Sequence, residues 1–189
     1  MKIKLFGKEI TFYQLVLHVI VIVLAFEVVF LINEIKSIKN AKTDYLQKVL
    51  QQGERVSPVD IESLNGVKRQ FPDTTRRRTS VLFLFQTKCP FCKDNIPKWN
   101  LLTERLKTDS IDIVAVSTHK KDWVIDYVKQ NDLRSAAYVP RDSAFLKVFK
   151  PHAVPQTIVI SKDLRVMRIY LGPLTDAVVD SLSTTLKRR

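Results

Sequence analysis

The chain has 189 residues, 46% of them hydrophobic, and sets 31 Lys and Arg against 19 Asp and Glu for a net charge of +12. With one apolar segment set aside, that length suits a single globular domain rather than two, because domains usually take roughly 100–150 residues. The positive excess is scattered apart from runs at Arg76–Arg78 and Lys187–Arg189, and the four glycines make no phosphate-cradling loop, so the composition reads as a solvated basic surface and argues against a nucleic-acid partner.

Residues 1–10 form a short basic flank. From Thr11 the chain reads TFYQLVLHVIVIVLAFEVVFLI, about 22 residues and roughly 33 Å as a helix, enough to cross a bilayer core. We take residues 11–33 as a transmembrane helix. Its polar members Gln14 and His18 share a face, and Glu27 lies within two turns of Asn33. No small-residue cleavage site follows the apolar run, which predicts a retained anchor rather than a removed signal. Lysines flank the span on both sides (Lys2, Lys4 and Lys8 before it; Lys36, Lys39, Lys42 and Lys48 after it), so charge alone does not orient it.

Residues 34–55 read as a helical stalk, with Ile35, Ile38, Tyr45 and Val49 on helical spacing, Lys42 interrupting the stripe and Gly53 as its stop. Extended back to Val28 and Leu31, the stripe offers a homodimer seam over residues 28–49. Residues 56–189 then alternate strand and helix. Val59–Ile61 and Val67–Phe71 predict a hairpin, and Pro72–Ser80 a polar basic loop. VLFLF at 81–85 predicts a strand buried on both faces, followed by a helix over Pro90–Leu106. IDIVAVS at 111–117 predicts a second buried strand and Lys121–Asn131 a second helix. Gln156–Ser161 and Arg165–Leu171 predict paired strands turning at Lys162–Asp163, and Thr175–Leu186 a closing helix capped by Thr175 or Asp176. This order implies an α/β fold with a mixed central sheet flanked by helices.

Both cysteines stand in FLFQTKCPFCKDNIPKW, residues 83–99. A strand-to-helix junction puts Cys89 at a helix N-terminus, where unpaired amides and the positive end of the helix dipole favour a thiolate nucleophile. Pro90 suits the first turn, since its missing N–H has no partner to lose there. Cys92, three positions on, is within reach of Cys89 and able to resolve a mixed disulfide. Lys88 favours the thiolate and Asp94 opposes it. A zinc site is disfavoured, because only His119 and His152 lie outside the apolar segment and neither has metal-ligand spacing. A buried pair of core cysteines remains open on the motif alone.

A second element bears on that choice. In HAVPQTIVIS, 152–161, a proline directly precedes an apolar strand about 60 residues after the cysteine pair. With VLFLFQTKCPFCKDNIPKW and its Pro97, IDIVAVS, the segment from about Lys121 to Val148, and the upstream GERVSPVDIESLNG, the chain resembles the thioredoxin superfamily. Within it, the match is to the membrane-anchored TlpA/ResA-type thiol–disulfide oxidoreductases, over roughly residues 54–188. The resemblance implies that Cys89 exchanges with a partner's disulfide, that Cys92 resolves, and that a cis Val154–Pro155 peptide faces the pair and holds a substrate strand, with Lys88, Pro90, Phe91 and Val154 shaping the site. It implies a redox-active Cys89–Cys92 disulfide in place of any other cofactor, no metal, protein thiols as substrates and a membrane electron donor. The soluble domain is expected on the extracytoplasmic, periplasmic side of the inner membrane, with apocytochrome c or another enzyme under maturation among the targets. Three positions depart from family patterns: Lys88 replaces a Trp, Phe83 a buried acid and Asn95 a Glu. His119 and His152 are candidate proton relays or plain surface histidines.

Two other functions compete. A peroxiredoxin-like peroxidase shares this fold, but Thr87 stands at the wrong offset for its P-x-x-x-T-x-x-C pattern. A non-catalytic tethered binding module with a structural disulfide predicts that Cys89→Ser is harmless.

Overall fold

A computed structural model describes the backbone of residues 2–5, 8–107 and 110–188, and the side chains of 13, 14, 16–39, 49–107 and 110–188. The chain divides into two compact units, Met1–Gln47 and Lys48–Arg189.

In the first unit, strands β1 (Lys2–Leu5) and β2 (Lys8–Thr11) pair antiparallel within the flank that sequence reading left without structure. Helix α1 (Phe12–Lys48) follows without interruption. Its stretch Val16–Lys39 is long and apolar enough to cross a membrane, and its apolar side chains are solvent-facing all round, the pattern expected of a helix made for lipid. His18 Nδ1 lies 2.6 Å from the Gln14 carbonyl oxygen, so the backbone one turn earlier takes up that ring's polarity. The stalk positions Lys42 and Tyr45 have side chains outside the described residues.

One expectation is corrected here. The helix stops at Lys48 rather than at Gly53, and Val49, Leu50 and Val56 are buried. The chain from Gly53 instead joins the second unit's sheet margin: the Gly53 amide donates to the Val166 carbonyl at 2.8 Å, and Arg55 bridges Arg165. Gly53, at φ +86°, serves that turn. Burying Leu50 and Val56 outweighs continuing an exposed helix.

The second unit is a seven-stranded sheet in the order β4-β3-β7-β6-β5-β8-β9. The hairpin β3 (Val59–Ser63) and β4 (Lys68–Phe71) forms one edge, as expected. β5 (Thr79–Phe85) is central, buried at every position after the first, and runs parallel to β6 (Ile111–Ser117). Parallel neighbours require crossovers; α2 (Pro90–Arg105) connects β5 to β6, and α3 (Lys121–Gln130) leads from β6 to a further parallel strand, β7 (Ala136–Pro140). Neither β7 nor α4 (Ala144–Phe149) was read from the sequence as an element. Five residues of modest apolarity ending in Pro140 make a weak strand signal, and here β6 on one side and β3 on the other supply the pairing. β8 (Gln156–Ile160) lies antiparallel to β5 and carries β9 (Val166–Leu171) at the other edge.

Alternate residues of the central strands feed two cores. Val81, Phe83 and Phe85 point to one that holds Trp99 and Leu102 of α2, Val124 and Tyr127 of α3, and Val179 and Leu182 of α5 (Asp176–Lys187). Leu82 and Leu84 point to the other, with Phe145 and Phe149 of α4 and Phe71 of the edge hairpin. The period of two along β5 thus sorts α2, α3 and α5 onto one face and α4 onto the opposite one. Thr175 caps α5, its Oγ1 accepting from the Val178 amide at 3.4 Å. Thr175→Ala is expected to destabilise by about 0.5–1 kcal/mol, read as a drop of roughly 2–4 °C in the thermal midpoint. An unchanged midpoint would deny the cap that role.

Candidate active site

The strands β5 and β6 end side by side, so the segments leaving their carboxyl ends meet; open parallel sheets place their ligand sites at such ends. After β5 come Gln86, Thr87 and Lys88, turned by a bond from the Cys89 amide to the Gln86 carbonyl at 3.2 Å. Cys89 then occupies the N-cap of α2 in extended backbone (φ −94°, ψ 110°), with Pro90 opening the helix. Its sulfur accepts from the Cys92 amide at 3.2 Å. This is the bond a capping Ser or Asp would take, here made to sulfur. An anionic acceptor is favoured at a helix N-terminus, so the geometry stabilises a thiolate over a thiol.

The two cysteines differ in access. Cys89 is partly exposed, whereas Cys92 is fully buried. A bulky reagent or protein therefore meets Cys89 first. From the other side, β8 presents its entry loop: the Val154–Pro155 peptide is cis, as the resemblance implies, and the Val154 carbonyl oxygen lies 3.7 Å from the Cys89 sulfur. Of the residues named from sequence, Cys89, Cys92, Pro90 and the Val154–Pro155 loop are thus brought together. Lys88 and Phe91 are both exposed at the same helix end, Phe91 by 61%.

The departures from family pattern have visible structural consequences. Phe83, where thioredoxins keep a buried acid, stacks on Trp99 with ring centroids 5.0 Å apart, and the Trp99 indole N–H donates to Thr157 Oγ1 at 2.9 Å. That space is filled by aromatic rings. Asn95, at the glutamate position, is fully buried and accepts from the Leu174 amide at 2.8 Å, tying α2 to the loop before α5. Lys98–Asp176 and Arg105–Asp180 ion pairs join the same two helices further along.

The two histidines part company. His119 sits just past β6, and its Nδ1 lies 2.7 Å from Thr87 Oγ1 and accepts from the Thr87 amide at 3.3 Å. An amide N–H can only donate, so Nδ1 is the accepting atom of that contact. The ring pins the turn two residues ahead of Cys89. His152 is exposed, and its Nδ1 lies 3.3 Å from the Lys150 carbonyl oxygen.

Sequence reading passed over Trp123, near the start of α3. Its ring is 47% exposed and receives the Lys88 ammonium at 5.0 Å, the Lys120 ammonium at 6.0 Å and the edge of His119 at 6.0 Å. The signal that would have found it is topological: two successive parallel crossovers bring the first turns of α2 and α3 to neighbouring strand ends. Tyr127, one turn further, stacks on Phe85, and burial first, then the Asp94 carboxylate, pushes its phenol's pKa up. Lys121 holds the Glu62 carboxyl below the usual carboxylate range through a 2.6 Å bond. No group of three or more metal-ligating side chains occurs among the described residues.

A fold with a central β-α-β-α-β run, an N-capping cysteine and a facing cis-proline loop defines the thioredoxin-like class. The Redoxin family profile matches residues 51–186, and the chain belongs to that family, in its TlpA/ResA-type branch. It is accordingly an enzyme of the thiol–disulfide oxidoreductase kind. The thiol-disulfide oxidoreductase ResA of Bacillus thuringiensis subsp. konkukian is 22% identical over 130 residues, 68% of this chain and 75% of that one. ResA of Halalkalibacterium halodurans is 18% identical over 142 residues, 75% and 80%. Among solved structures, StoA from Bacillus subtilis superposes with a TM-score of 0.58 at 17% identity, covering 68% of this chain and 95% of that one. A thiol:disulfide interchange protein from Bacteroides sp. gives 0.63 at 12% identity, covering 73% and 91%.

Proposed function

We propose that Cys89 and Cys92 are the redox centre of a membrane-anchored reductase of protein disulfides, with no other cofactor. The observation that carries this reading is the capping bond from the Cys92 amide to the Cys89 sulfur, on the partly exposed member of the pair. The Cys89 thiolate attacks one sulfur of a partner's disulfide, forming a mixed disulfide and expelling the partner's other sulfur as thiolate. Cys92 then loses its proton and attacks the Cys89 sulfur, releasing the partner's second thiolate and closing the Cys89–Cys92 disulfide. Two electrons pass to the partner, whose two thiolates take up protons. A dithiol donor in the membrane restores the pair by the same exchange in reverse. By the family resemblance, the Val154–Pro155 loop pairs with the extended backbone of the substrate.

Helix α1 serves as the anchor, and the domain faces the extracytoplasmic side, where disulfides form and need correction. Proteins under maturation there, apocytochrome c among them, are the substrates. The Thr87 hydroxyl, turned toward His119, lends nothing to a peroxidase reading. Labelling mildly reduced, intact cells with a membrane-impermeant maleimide tests the placement. We expect modification of Cys89 without lysis; labelling that requires permeabilised cells would put the domain on the other side.

A further inference from the structure

Trp123, Lys88 and Lys120 form an unneutralised cationic–aromatic surface immediately beside the nucleophile. Lys88 precedes Cys89 in the chain, and both ammonium groups approach one indole, at 5.0 and 6.0 Å from its centre. Attraction of a cation to an aromatic face holds each long side chain in place while leaving its charge available. His119 closes a third side of the ring edge-on and is itself fastened to Thr87, so the surface is tied to the turn that carries Cys89.

Lys98, Arg105, Lys121 and Lys150 each pair with a carboxylate. Lys88 and Lys120 pair with none among the described residues, although the elements that bear this surface carry Asp94, Asp122 and Asp126. Two ammonium groups held on one half-exposed indole complement an anion brought by something else.

We propose that this surface selects the substrate: it takes a protein segment that bears an Asp or Glu side chain close to its reacting cysteine, with the indole packing on the segment and Lys88 and Lys120 holding the carboxylate. The inference rests on the reading of Cys89 as the attacking thiol and adds the substrate's chemistry to it. Phe91 is exposed in the first turn of the helix that Cys89 caps.

The test uses the full chain, reduced, in neutral detergent micelles. Two synthetic peptide disulfides are compared, identical except for Glu or Lys two residues from the cysteine, alongside oxidised β-mercaptoethanol as a small neutral disulfide. The wild type is expected to reduce the Glu peptide about tenfold faster than the Lys peptide at low salt, with the ratio collapsing in high salt. In Lys120→Glu the ratio should invert, and in the milder Lys120→Gln it should fall to about threefold, which keeps the test valid if the charge reversal misfolds. Equal rates for the two peptides in the wild type, or a ratio unmoved by both substitutions, would overturn the proposal. A wild type that reduces neither peptide nor the small disulfide would defeat the thiol chemistry itself, and substrate selection would fall with it.

Discussion

Cys89→Ser is expected to reduce disulfide turnover to the uncatalysed background, whereas Cys92→Ser should retain the first exchange and accumulate mixed disulfides with partners. A serine hydroxyl is not ionised near neutral pH and forms no S–S bond, so neither capping geometry nor substrate binding compensates for the lost sulfur. In Cys92→Ser the attacking thiolate is intact, but the buried position supplies no second sulfur to release the partner. Non-reducing electrophoresis with mass spectrometry of the trapped species reads both outcomes. The titration should also be distinctive. With its sulfur accepting an amide at a helix N-terminus, Cys89 should be alkylated with an inflection well below the roughly 8.5 of a free thiol. The rate falls as pH drops through that inflection, because the thiol form is unreactive. Cys92, fully buried, should escape the reagent in the folded protein. A Cys89→Ser protein that still turns over, or an ordinary inflection, would return the pair to the status of core cysteines.

Trp99→Ala is expected to produce the largest loss of stability. The indole is fully buried, lies nearly parallel to Phe83 (14° between ring planes) and donates to a Thr157 hydroxyl that is itself buried. Truncating such a ring costs about 3–5 kcal/mol through lost burial and the cavity left behind, and stranding the hydroxyl adds about 1 kcal/mol. The expected drop in thermal midpoint exceeds about 10 °C for a unit of this size. Trp99→Phe, which keeps a ring against Phe83 and loses the N–H, should cost clearly less. Circular dichroism melts of the three proteins check the order. Near-equal losses in the two variants would show that the hydrogen bond dominates, and a small loss in Trp99→Ala would show that α2 is fastened elsewhere. The result matters for the chemistry too, because Trp99 sits nearly three turns along the helix that Cys89 caps.

Much of this was legible in the chain because the relevant signals are local. An apolar run longer than a bilayer core, the alternation that buries β5 on both faces, a proline at the first turn after Cys89 and a threonine before the last helix each follow from a few neighbouring residues. The break at Lys48 was not legible. A helical stripe and a glycine predicted continuation to Gly53, and only the core's demand for Leu50 and Val56 ended the helix earlier. β7 escaped notice for a related reason, since AAYVP is unremarkable until β3 and β6 flank it.

By itself, the sequence determined the class of fold, the candidate anchor, the cysteine pair and its place at a helix start, because capping, dipole and periodicity act over one or two turns. The tertiary structure alone decided which sulfur is accessible, what fills the space beside Phe83, and that His119, Lys120 and Trp123 gather beside Cys89 from another strand and helix. Those facts depend on parallel pairing of β5 with β6, which joins residues more than 30 positions apart, and no short-range preference encodes where such strands will meet.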